Sequence, residues 1–211
     1  MPIGDHPIMT TCGCGSDQAD RLERRTLITL LLINGVMFVV EVGWGWIAES
    51  TSLIADSLDM LADAAVYGLS LAAVGMGRTH QARAARLSGI LQIMLGLGVL
   101  LDVSRRFVFG SSPDSLLIIR VGAAALVANL VCLMLLSRHR RSGVHMRASW
   151  IFSTNDVIAN LGVIASGVLV WALGRRLPDL LVGTAIAIVI VRGGIRILRE
   201  AEHQHQAQPG P

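Results

Sequence analysis

Asp59 and Asp63 stand four residues apart inside an apolar run over residues 53–75, and a later apolar run carries Asp156 beside Asn155 and one turn before Asn160. Residues four apart share a helical face, so Asp59 and Asp63 point the same way, and Asp56 is only about 20° off Asp63 after seven residues. An aspartate at the centre of a membrane-spanning helix costs roughly 2.5–3.5 kcal/mol on insertion scales, which makes such carboxylates functional by default. Oxygen ligands from two helices can enclose a divalent cation, whose charge offsets the cost of gathering three carboxylates. Without the cation, neighbouring carboxylates in a low-dielectric site hold protons instead. Metal and protons then compete for one site, and exchange across a membrane follows if access to it alternates.

The elements that must position these groups are long apolar helices. The chain has 211 residues, 53% of them apolar and only 16% charged, and its mean hydropathy is +0.60, a composition that excludes an ordinary soluble domain. Apolar runs over residues 26–48, 51–76, 86–103, 115–137, 148–173 and 178–195 each approach the ~20 residues that a spanning helix needs. The expected fold is an all-α membrane protein, a six-transmembrane-helix bundle with both termini cytoplasmic. On the second helix, Tyr67 and Ser70 extend the acidic stripe into a polar seam. On the fifth, Ser149, Ser153, Asp156 and Asn160 follow spacings of four, three and four. Depth agrees as well, because Asp59 and Asp63 lie roughly 12–18 Å from one end of their helix and Asp156 roughly 12 Å from the opposite end of its own.

All 18 basic residues are arginine, and positive residues collect on the cytoplasmic side of membrane proteins. With both termini inside, Arg21, Arg24, Arg25, Arg78, Arg83, Arg86, Arg138, Arg140, Arg141, Arg147, Arg196 and Arg199 fall on that side, while Arg105, Arg106, Arg175 and Arg176 fall outside. The net charge of +3 therefore reflects topology, and no nucleic-acid partner is drawn from it. Expected divisions are a polar cytoplasmic tail over residues 1–25, a transporter domain over 26–199 and a short cytoplasmic tail over 200–211, with no soluble C-terminal domain and no cleaved leader. Connections are expected at residues 49–52, 77–85, 110–114, 137–147 and 174–178, short enough to make consecutive helices antiparallel neighbours. Cys12, Cys14 and Cys132 do not make a disulfide framework. Cys12, Cys14 and His6 form a weak candidate for capturing a soft metal, and His139, His145, His203 and His205 are more simply read as solvated than as a cation funnel. Asn34 and Glu41, seven apart on the first helix, share a stripe suited to a structural or proton-handling role, while Gly162 and Ser166 read as a close-packing pair.

The stretch Ala48-Glu-Ser-Thr-Ser-Leu-Ile-Ala-Asp-Ser-Leu-Asp-Met-Leu-Ala-Asp63 resembles the second-helix signature of the cation diffusion facilitators, with Asp59 and Asp63 in its two ligand positions. Met146-Arg-Ala-Ser-Trp-Ile-Phe-Ser-Thr-Asn-Asp-Val-Ile-Ala-Asn160 is similar to the fifth-helix signature, with Asp156 as the second ligand. Asn34 and Glu41, Asn129, and Pro178-Asp179 at the start of the sixth helix extend the resemblance across the six helices. The family implies export of divalent transition metals from the cytoplasm, usually zinc, by proton antiport as a homodimer. The arginine-only basic set and the short chain fit a multi-pass protein of a bacterial inner (plasma) membrane better than an organellar one, and the expectation is the metal as substrate with no permanently bound cofactor. Two departures stand out. Phe152 occupies the place of the first fifth-helix ligand, and a phenyl ring has no lone pair to give a metal. Asn155 or Asn160 could supply an amide oxygen in its stead. An all-oxygen site is harder than one with histidine, which leaves cadmium, iron and manganese open beside zinc. The second departure is an expected one, the lack of the cytoplasmic domain that most of the family carries, and it would place the resemblance with the branch lacking that domain.

Two other classes compete with a transporter. An intramembrane aspartyl protease also places aspartates on separate helices, but no Gly-x-Gly-Asp sequence surrounds Asp63 or Asp156. A non-transporting metal sensor or accessory subunit would keep the metal site and lose turnover, with Phe152 as its support. Neither is an enzyme reading that the chain favours, and the expectation is a secondary active transporter.

Overall fold

The computed structural model describes residues 14–73, 78–139 and 144–206, and these form six α-helices with no strand among them. They are α1 (Cys14–Ile47), α2 (Thr51–Ala73), α3 (Arg78–Phe109), α4 (Ser115–His139), α5 (Val144–Leu173) and α6 (Leu177–Gln206). Several helices outrun the apolar stretches that announce them. α1 begins at Cys14, inside the segment expected as a polar tail; α3 takes in residues 78–85, expected as a connection; α5 starts at Val144 and α6 continues to Gln206. Hydropathy marks where a helix can meet hydrocarbon, whereas the backbone ladder continues into water wherever the residues are good helix formers, as Gln18, Ala19, Leu22, Glu23 and Arg24 are.

Among the described residues, five segments are long and apolar enough to cross a bilayer: Arg24–Ile47, Ala85–Phe109, Ser115–Ser137, Thr154–Leu173 and Leu177–Arg199. These helices turn large apolar side chains outward, among them Leu32, Val36, Leu101, Val127, Ile158 and Leu181. An outward apolar surface on this scale belongs against lipid, and the protein is an α-helical multi-pass membrane bundle. α2 behaves differently. It packs against α1, α3, α4, α5 and α6, and over residues 51–69 none of its side chains is exposed. Facing lipid, Asp56, Asp59 and Asp63 together would cost roughly 7–11 kcal/mol, so the helix that carries them occupies the centre and the helices with apolar outer faces surround it.

Small residues set the spacing of that ring. α3 and α6 approach so closely that a Cβ on Gly194 would fall 2.7 Å from the Gly89 carbonyl oxygen, the close backbone contact by which helices associate where water exclusion gives no drive. Gly183 likewise lets α6 reach α2, since a Cβ there would stand 2.8 Å from Thr51 Cγ2. Gly162 meets Val182 of α6 and Ser166 meets Ser52 of α2, so the pair on α5 serves packing.

One end of the bundle is stapled together by polar groups. α1 closes with Glu49 in the left-handed region (φ 50°), with Ser50 N donating to Gly45 O at 3.0 Å and Glu49 N to Trp46 O at 3.2 Å, a Schellman-type stop. Ser50 then caps α2, accepting from Leu53 N at 3.2 Å. The remaining first-turn amides of α2 go to Asp179, in the first turn of α6: Thr51 N donates to Oδ2 at 2.6 Å and Ser52 N to Oδ1 at 3.1 Å. Ser50 Oγ and Ser52 Oγ add bonds of 2.6 Å each to Oδ1. Asp179 is fully buried, so a carboxylate that would be costly alone is neutralised by a helix N-terminus and two hydroxyls. The α3–α4 loop joins the same end through Asp114 N to Ala48 O at 2.9 Å and Ser112 N to Glu49 Oε2 at 2.8 Å. Replacing Asp179 by Ala strands four donors. It is expected to lower unfolding stability by about 2–4 kcal/mol, against about 1 kcal/mol for Ser166→Ala. Thermal unfolding in detergent measures both, and equal shifts would contradict the capping role.

Candidate metal centre

The acidic row of α2 meets two neighbours. Toward α5, the carboxyls of Asp63 and Asp156 lie within hydrogen-bonding reach of each other. Toward α1, Glu41 and Asp56 make the same kind of contact. Asp59 lies between, within electrostatic range of Asp56, Asp63 and Asp156. Asp63 Oδ2, Asp56 Oδ2 and both Glu41 oxygens are enclosed and take no hydrogen bond from any described donor. Two ionised carboxylates have no proton to share and repel; their contact becomes a bond only when a proton or a cation stands between them.

The two contacts differ in access. Glu41 and Asp56 are sealed, at 0% and 2% exposed, while Asp59, Asp63 and Asp156 keep part of their surface open. An ion entering from water meets the second set. Among the described residues, no group of three His, Cys, Asp or Glu side chains is drawn tightly enough to hold one ion, so Asp63 and Asp156 form the assembled part and Asp59 stands a helical turn away.

The asparagines separate. Asn160 is fully buried; its Nδ2 donates to Asp156 O at 2.7 Å, and its Oδ1 is enclosed with no partner, an oxygen free for a cation. Asn155 is exposed. Adjacent helical residues diverge by about 100°, so with Asp156 turned to α2, Asn155 cannot be, and it is removed from the candidate ligands. Asn34 is also buried, its Nδ2 donating to Leu30 O at 2.9 Å within α1. His6 and Cys12 lie outside the described residues, as do the side chains of Cys14, Ser70, Ser149, Phe152, Ser153 and the other five histidines.

Two residues join the surroundings of the centre from tertiary structure. Cys132 of α4 is 2% exposed, lies within electrostatic range of Asp63 and Asp156 and shares a packed cluster with Tyr67, Leu27, Leu30 and Leu136. Tyr67 closes the seam one turn beyond Asp63. The seam on α2 announces Tyr67, but nothing in the spacing of α4 distinguishes Cys132 from an ordinary apolar core residue.

A family model described as the cation efflux transmembrane domain matches residues 27–202. The chain is 22% identical to the cadmium, cobalt and zinc/H(+)-K(+) antiporter of Bacillus subtilis, over 84% of this chain and 61% of that protein. It is 22% identical to the zinc transporter ZitB of Yersinia pseudotuberculosis, over 85% of this chain and 62% of the relative. Against the metal cation efflux system protein CzcD of Cupriavidus metallidurans, identity is 23% over 79% of this chain and 55% of the relative. The chain thus spans about three fifths of the length of these relatives.

Divalent-cation binding to the detergent-solubilised protein, followed by calorimetry, distinguishes the candidate residues. Asp63→Ala is expected to weaken binding by at least roughly tenfold, and Asn155→Ala to change it less than about twofold, as an exposed substitution away from the centre. Comparable losses in the two variants would contradict the assignment.

Proposed function

This chain belongs to the cation efflux family, the cation diffusion facilitators, and we propose that it exports divalent transition-metal cations from the cytoplasm in exchange for protons, with zinc as the leading substrate. The observation that carries this reading is the contact between Asp63 of α2 and Asp156 of α5, two carboxylates from different helices that require a positive charge between them. A proton meets that requirement in one state and a metal ion in the other. Metal arrival expels the proton and draws in Asp59, while Asn160 Oδ1, enclosed without a partner, offers a further oxygen. Proton arrival reverses the sequence. Competition for one charge-demanding gap couples the two fluxes, provided that the gap opens to the two sides in turn.

In this reading α2 is a sixth span. Its 23 residues reach about 34 Å, enough to cross the hydrocarbon, and the five apolar helices shield its carboxylates. Six spans would leave both termini on one side, and the arginine distribution supports the cytoplasmic side of a bacterial plasma membrane. The relatives named for zinc, cadmium and cobalt put those ions first, and an oxygen-rich donor set keeps manganese and iron as competitors. A homodimer is the assembly proposed.

Purified protein in proteoliposomes tests the proposal. A pH gradient is expected to drive uptake of zinc, and a panel of cadmium, manganese, iron, cobalt and nickel ranks the substrates. Asp59→Ala and Asp63→Ala should each abolish flux and remove metal tolerance from a sensitive host. Binding without flux in the parent protein would mark a sensor or accessory subunit, and full flux in either variant would exclude the carboxylates as ligands.

A further inference from the structure

A cavity of about 730 Å³ opens at the stapled end of the bundle, between the α3–α4 loop and the α5–α6 turn. Its wall includes Ser111, Ser112, Ser115, Trp171, Arg175 and Arg176, and no aspartate or glutamate is among the described residues that line it. The acids nearby are committed elsewhere. Glu49 holds the Ser112 amide, Asp114 caps α4 through Leu116 N and Leu117 N at 2.9 and 3.0 Å, and Asp102 pairs with Arg105 and Arg106 at 2.7 and 2.6 Å. Arg176 is fixed, its Nη2 donating to Phe107 O at 3.3 Å. Gly110, with φ 92°, leaves it room, because a Cβ there would meet Arg176 Nη1 at 2.9 Å. Arg175 is exposed, and no ion pair joins it to a described acid.

Two guanidinium groups with serine hydroxyls around them, and no acid in the wall or ion-paired with them among the described residues, suit a phosphate oxyanion. They repel a divalent metal ion, so the cavity is separate from the transport centre. Its setting selects among phosphates. Trp171 is 76% exposed and Phe107 63%, and beside them the exposed Val108, Phe109, Leu173 and Leu177 continue the apolar outer surface of the bundle. Tryptophan at the end of a spanning helix sits at headgroup level. An occupant with a phosphate above and hydrocarbon below meets both surfaces at once, whereas free phosphate meets only the first.

We infer that this cavity is a binding site for an anionic phospholipid, with the headgroup phosphate held by Arg175 and Arg176 and the acyl chains lying along the exposed apolar residues of α3 and α5. A lipid seated there bridges the α3–α4 loop and the α5–α6 turn.

Native mass spectrometry of the delipidated full-length protein, titrated with phosphatidylglycerol or phosphatidylcholine, tests the site. Phosphatidylglycerol is expected to be retained in preference to phosphatidylcholine and to resist competition by millimolar inorganic phosphate. Arg175→Ala is expected to weaken its retention roughly tenfold. Arg105→Ala, which removes a charge already paired with Asp102 and outside the cavity wall, should leave retention unchanged. Because Arg175 is exposed and its side chain holds no described element in place, the variant reports on binding and not on folding. Equal retention of the two lipids, unaltered retention in Arg175→Ala, loss of equal size in Arg105→Ala, or displacement by inorganic phosphate would each overturn the inference.

Discussion

The carboxylate of Asp179 sits on the first amides of α2, and the placement of the acidic row depends on that junction. A helix N-terminus enclosed by neighbouring helices carries unpaired N–H groups and a partial positive charge, and both need an acceptor. Asp179 satisfies Thr51 N and Ser52 N directly, while Ser50 takes Leu53 N. The bond works in the other direction too, since α2 supplies the positive end that lets a fully buried carboxylate remain in the protein. By fixing the first turn of α2 against α6, it sets the depth and rotation at which Asp56, Asp59 and Asp63 enter the bundle. Gly183 makes the junction possible, because α6 could not lie so near Thr51 with a side chain at that position.

From that fixed end, charge placement governs the rest. A helix with three carboxylates has no stable position against lipid, and α2 is accordingly the helix that contacts all five others. The surrounding helices turn leucine, valine and isoleucine outward and offer polar groups inward: Glu41 from α1, Asn129 and Cys132 from α4, Asn160 from α5. Asp56 finds Glu41 and Asp63 finds Asp156. Each contact gathers negative charge and leaves a demand for a positive one. The sealed pair and the partly open pair therefore share one chemistry and differ in access to water.

Some of this was legible in the chain itself. The i, i+4 spacing of Asp59 and Asp63 and the polar seam of Asp156 and Asn160 each mark one polar helical face from periodicity alone, because residues four apart in a helix share a face. Glu41 could be assigned to an inward stripe, but its partner could not, since sequence spacing says nothing of the rotation of α1 against α2. Asn155 shows the converse. Beside Asp156 it looks as suitable as Asn160, and only the facing direction of α5 separates the two. The helix ends were also beyond reach, because the ladders of α1 and α6 run on through polar residues that carry no hydropathy signal.

The sequence by itself determined that this is a multi-helix membrane protein with carboxylates spaced along one helical face, since composition and helical period fix burial class and face without reference to any neighbour. Tertiary structure decided which carboxylates touch, which asparagine turns inward, that Cys132 borders the centre and that Asp179 caps α2. The reason is physical: each of these is a contact between residues far apart in the chain, such as Ser52 with Asp179 and Asp63 with Asp156. Such contacts are set by how helices rotate and approach one another, which depends on the packing of glycines and caps throughout the bundle and not on local spacing.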